Sequence, residues 1–199
     1  MNAIIRHFAV PSPQGRLPAH LTRPEGSRAL IVVIHAGTCP AAATLTADFS
    51  AHPWAILEVD LLTAEETHAH GDEEKAAQLS QRLISVLDFI HNDGDTAGLP
   101  VGFYALGRAT PAAIRAAAQR DATVRVIVVR GGLIDHAGKE YLEALAAPLL
   151  VLADLGDSTA EIIVRGAFQH LNAPHALERL ETGDAGLKPA SWFAQWLPE

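Results

Sequence analysis

Short apolar runs alternate with amphipathic stretches along most of the chain. Ala29 to His35 reads ALIVVIH, Trp54 to Asp60 WAILEVD, Val101 to Leu106 VGFYAL, Val124 to Arg130 VRVIVVR and Leu149 to Asp154 LLVLAD. Each run is short, rich in Val, Ile and Leu, and bounded by turn residues, as expected of a strand covered on both faces. His175 to Leu180 predicts a last strand. Ile4 to Val10 and Gly15 to Leu21 predict a hairpin across PSPQG. Between the strands the period changes. From Glu73 to His91 the apolar residues Leu79, Leu83, Val86, Leu87 and Ile90 fall at helical spacing, and Asn92-Asp93-Gly94 stops the helix. Further helices are predicted over Ala41–Ala51, Thr110–Gln119, Glu140–Ala147, Ser158–His170 and Ala190–Trp196. Such alternation implies an α/β fold, a mostly parallel central sheet with helices on both faces. No linker or repeat divides the chain, so residues 1–199 read as one domain.

Composition narrows the partners. The chain has 199 residues, 49% of them hydrophobic, and a formal charge of −8 from 15 basic and 23 acidic residues. With no basic cluster, neither nucleic acid nor an anionic membrane surface is an expected partner. Cys39 is the one cysteine, so no intrachain disulfide forms and a cytoplasmic location is expected. The N-terminal apolar run is too short for a signal peptide, and no run approaches the ~18 residues of a membrane span.

Chemistry in a parallel sheet gathers at the carboxyl ends of the strands. The stretch GFYALGRATPAA, Gly102 to Ala113, passes from strand through a small-residue turn into a helix. A nucleophile elbow has this build: the residues two before and two after the nucleophile must be small. Those flanks are Ala105 and Ala109, and the centre is Gly107. Several phrases accompany it: IVVIHAGT after the first core strand, EVDLLTAEE after the next, VIVVRGGLIDHAG and PLLVLADLGDS further on. With these the chain, from about Ala29 onward, resembles the small dienelactone-hydrolase-like members of the α/β-hydrolase superfamily. The resemblance implies a fold without a sizeable lid and a Ser (or Cys), acid and His in that chain order. Carried over residue by residue, the nucleophile position falls on Gly107. The acid falls on Asp157, or on Gly156 with one residue of slippage, and the histidine on Gly186. Two of the three catalytic side chains are therefore missing from their places.

The backbone oxyanion donors of that fold would be the N–H of Arg108 and one from Gly37 or Thr38. These three residues are the expected ligand contacts, with the Arg108 side chain turned either inward or to solvent. Cys39 is a candidate substitute nucleophile if His35 or His136 approaches it; a small buried hydrophobe is the plainer reading. His68, His70 and Asp72 form the densest set of metal-ligand types, but a third firm ligand is missing and a solvated loop is preferred. No metal and no cofactor is expected. Asp135 is expected to cap the short helix that follows it, with a substrate contact as the alternative. The residues thus favour a non-catalytic hydrolase-fold protein that binds a small molecule or a protein partner, with a homodimer as one option. The alternative is an esterase-type hydrolase with relocated catalytic residues.

Overall fold

The computed structural model describes residues 3–37, 49–63, 66, 75–131, 133–154, 158–180 and 187–198. Eight strands form one sheet: β1 (Ala3–Ser12), β2 (Gly15–Pro24), β3 (Ala29–His35), β4 (Trp54–Asp60), β5 (Val101–Leu106), β6 (Val124–Arg130), β7 (Leu149–Asp154) and β8 (His175–Leu180). Their order is β1-β2-β4-β3-β5-β6-β7-β8. The β1–β2 and β2–β4 pairs are antiparallel, and all the others are parallel. Five described helices accompany the sheet: α1 (Lys75–Asn92), α2 (Thr110–Gln119), α3 (Lys139–Ala144), α4 (Ser158–Phe168) and α5 (Leu187–Trp196).

Why the central strands read as continuous apolar runs is plain from their burial. All six residues of β5, and all of β3 but His35, are buried. Alternate residues of β3 feed opposite cores. Leu30, Val32 and Ile34 join Leu79, Leu83 and Val86 of α1 and the alanines of α2. Ile31 and Val33 join Phe49, Trp54 and, from α5, Phe193 on the other side. Helices thus cover both faces, and no large lid is inserted. The C-terminal segment docks on the core, where the Trp54 indole N–H donates to the Pro198 carbonyl at 3.2 Å.

Six of the eight strands have the bounds expected from the sequence, and the hairpin strands run longer at both ends or at one. Other expectations need correction. The helix expected over Glu140–Ala147 is α3, Lys139–Ala144, and a separate 3-10 turn, Ile134–Ala137, precedes it. Asp135 lies inside that turn and makes no cap; Gly138, at φ +93°, holds the N-cap position of α3. A glycine there leaves no side-chain cap. Only Phe49–Ala51 of the expected Ala41–Ala51 helix is described, as a 3-10 turn; residues 41–48 lie outside the described residues.

Candidate functional site

The sheet brings the carboxyl ends of β3, β4, β5 and β6 side by side. At the end of β5, Gly107–Ala109 forms a 3-10 turn that leads directly into α2. Gly107 has φ +52°, the left-handed region that side chains enter only at a cost. Its flanks Ala105 and Ala109 are fully buried, so a larger residue at either position would collide with the core. A Cβ added at Gly107 itself would meet none of the described residues within 4 Å. The neighbouring strand end supports this turn. The Thr110 hydroxyl donates to the Gly131 carbonyl at 2.9 Å, and a Cβ on Gly131 would come within 3.8 Å of the Gly107 Cα. The molecule has built an elbow with no side chain at its centre.

The β3 and β4 ends form the second wall. Asp60 closes it: one carboxylate oxygen accepts the N–H groups of Gly37 and Leu62, each at 2.9 Å. The Gly37 N–H, expected as an oxyanion donor, is therefore already engaged. The His35 ring lies between three oxygens. Its Nδ1 is 2.8 Å from the Gly37 carbonyl and 3.8 Å from Asp60 Oδ2, and its Nε2 is 3.4 Å from Glu58 Oε1. This holds the imidazole down on β4 with only 12% of its side chain exposed.

Behind this wall sits a buried cation. Arg82 of α1 has no solvent exposure. Its guanidinium grips Glu66 in a two-pronged pair, at 2.6 and 2.7 Å, and donates to the Leu61 carbonyl at 2.8 Å. Glu66 also accepts the Thr63 N–H and hydroxyl. The Arg82 hydrogen bond is the main cause that holds the Glu66 carboxyl down at about 2, against the opposing effect of burial. Paired, hydrogen-bonded geometry of this kind is what makes a buried charge tolerable.

Of the other expected site residues, Arg108 is exposed beside the elbow, and Asp135 and His136 are exposed in their 3-10 turn. Asp135 lines a cleft of about 330 Å³ with Lys139, Leu142 and Ile163, which no elbow residue enters. Thr38, Cys39, Gly156, Asp157 and Gly186 lie outside the described residues, as do His68, His70 and Asp72. Among the described residues no three His, Cys, Asp or Glu are grouped to hold a metal, and no helix is long and apolar enough to cross a membrane. Sequence reasoning passed over Arg82 and Asp60. Arg82 carried a signal, a charge three residues after Leu79 and beside Leu83 on an otherwise apolar helix face.

Comparison with known proteins sets this geometry in context. A dienelactone hydrolase from Anabaena variabilis superposes with a TM-score of 0.89 at 24% identity, covering 98% of this chain and 99% of that one. The chain has the α/β-hydrolase fold of the dienelactone-hydrolase and esterase type. A cold-adapted esterase from an Arctic intertidal metagenomic library follows with a TM-score of 0.77 at 16% identity, over 98% of this chain and 95% of that one. No family model matches the sequence. Two Mycobacterium tuberculosis proteins from different strains, provisionally named as phosphoribosyl transferases, are 32% identical over 174 residues, 81% of this chain. The chain spans 39% of their length.

Proposed function

We propose that the chain is a hydrolase-class domain that takes a small ester or lactone at the carboxyl end of β5. The likeness to dienelactone hydrolases and esterases supports this reading over binding alone, though a shared fold is an argument from analogy. The observation that shapes the mechanism is Gly107. A glycine at the elbow cannot attack a carbonyl, so the nucleophile has to come from elsewhere. Cys39, four residues beyond His35, is the residue of suitable chemistry in the β3 loop. Its thiolate would add to the carbonyl, expel the alkoxide with a proton from an acid, and be freed by water. The oxyanion would then rest on the Arg108 N–H and, with Gly37 engaged, on Thr38. The phosphoribosyl transfer in the mycobacterial names finds its place, on this reading, in the larger part of those proteins outside the match.

A second reading is favoured by the same glycine. With neither nucleophile at the elbow nor histidine at position 186, the pocket binds a carbonyl compound and releases it unchanged. Hydrolysis of p-nitrophenyl acetate by the purified protein and by Cys39→Ala separates the two. Turnover that disappears in the variant supports the hydrolase. No turnover in the unmodified protein removes it and leaves the binding domain.

A further inference from the structure

We infer that Arg82 is a positioning residue for Gly37 at the carboxyl end of β3, which the proposed function places on the oxyanion side of the pocket. Arg82 lies on α1, on the far side of the β4 loop from Gly37. The connection between them is continuous. Leu61 is held from both sides: its N–H donates to the His35 carbonyl at 2.8 Å, and its carbonyl accepts from Arg82 at 2.8 Å. The next N–H, that of Leu62, shares the Asp60 oxygen with the Gly37 N–H. Glu66, clamped by Arg82, fixes Thr63 through its N–H at 3.0 Å and its hydroxyl at 3.2 Å. Thr63 in turn abuts the hairpin turn, where a Cβ on Gly15 would come within 3.0 Å of its methyl. The Leu62 side chain faces Gly37, 3.7 Å from where a Cβ would stand. Any displacement of Leu61 or Leu62 is therefore passed to Gly37.

A fully buried guanidinium is an expensive way to fill space, since apolar residues of similar volume serve stability as well or better. What a guanidinium adds is direction: a planar fork that fixes a carboxylate and a carbonyl at once. Here the carboxylate and the Leu61 carbonyl belong to the loop after β4, a third acceptor, the Gln14 carbonyl at 3.5 Å, lies in the hairpin turn against it, and residues 61–63 carry no regular element of their own. The clamp supplies the order that backbone pairing supplies elsewhere in the sheet.

The test is amide hydrogen exchange by NMR on the unmodified protein, Arg82→Met and Glu66→Gln. A positioning role predicts that exchange at Gly37 and Leu62 accelerates at least tenfold more than at Tyr104 and Val128 inside the sheet, whose change reports the loss of global stability. Uniform acceleration across the sheet would show a merely structural role and overturn the inference. So would unchanged exchange at Gly37 in a folded variant. If Arg82→Met does not fold, Glu66→Gln carries the test, because it removes the charge and keeps the side chain's shape. Exchange needs no substrate. Absence of ester turnover in the same unmodified sample counts against the hydrolase reading alone, and the exchange rates still decide the role of Arg82.

Discussion

Two glycines in and beside β5 make opposite demands, and substituting each in turn tests the elbow directly. At Gly107 the problem is backbone conformation alone. A side chain at φ +52° costs about 1–2 kcal/mol, and no described residue lies within 4 Å of the added Cβ to add a packing penalty. The stiffer unfolded chain returns about 0.4–1 kcal/mol. Gly107→Ser is therefore destabilised by a net of about 0–1.6 kcal/mol. For a domain of this size each kcal/mol moves Tm by about 2–4 °C, so the expected fall is at most about 6 °C and centres on about 2 °C. At Gly102 the conformation is ordinary and space is the problem. A Cβ would stand 3.0 Å from Phe193 Cε1 and 3.1 Å from Leu197 Cδ1, where α5 seals the second core. Overpacking of this kind costs about 1–3 kcal/mol, and Gly102→Ala should fall by about 2–12 °C. Thermal melts and urea titrations of both variants measure the difference. If Gly107→Ser lost more stability than Gly102→Ala, the open left-handed elbow would be wrong.

Other outcomes follow from the second wall. Glu66→Gln leaves the buried Arg82 without its counter-charge, and should cost about 3 kcal/mol at neutral pH by analogy with broken buried pairs, read from urea denaturation. The Glu66 carboxyl is held at about 2 instead of 4.5. Its folded-state value is depressed, so its contribution is complete above about pH 4.5 and is lost as pH falls toward 2. Stability of the unmodified protein should drop over that window, and Glu66→Gln should drop less steeply. Asp60→Ala frees the Gly37 and Leu62 N–H groups together and should cost about 1.5–3 kcal/mol for the loss of bonds to a charged acceptor; a melt unchanged within error would show that water replaces the carboxylate. In Cys39→Ala, ester turnover should vanish while the urea midpoint moves little.

How far the sequence revealed this molecule depended on the kind of signal. The bounds of β3, β4, β5, β6, β7 and β8 could be read to the residue, because strands buried on both faces leave uninterrupted apolar runs with polar or turn residues at the ends. The elbow was legible for a related reason. Its geometry admits only small flanks, and Ala105, Gly107 and Ala109 meet that demand in sequence. The 3-10 turn Ile134–Ala137 was not legible, since four residues carry no periodicity, and Asp135 looked like a cap only because that turn was unseen. Asp60 and Arg82 were missed for another reason. Their partners are backbone groups and a glutamate brought close by the sheet order, and Gly37 lies 23 residues from Asp60 along the chain. Nothing local in sequence marks such a meeting, although an arginine on an apolar helix face was a warning that a buried acceptor existed.

The protein has the α/β-hydrolase fold, and the proposed reading turns on Gly107: any nucleophile lies away from the elbow. Comparing p-nitrophenyl acetate hydrolysis by the unmodified protein and by Gly107→Ser at neutral pH tests it most directly, since no described residue blocks the added Cβ. On that reading the serine should raise the rate by less than tenfold, because Gly186, the position the resemblance gives to the histidine, carries no imidazole to take its proton. A gain of a thousandfold or more would mean that a base is already in place beside the elbow, and would contradict the claim.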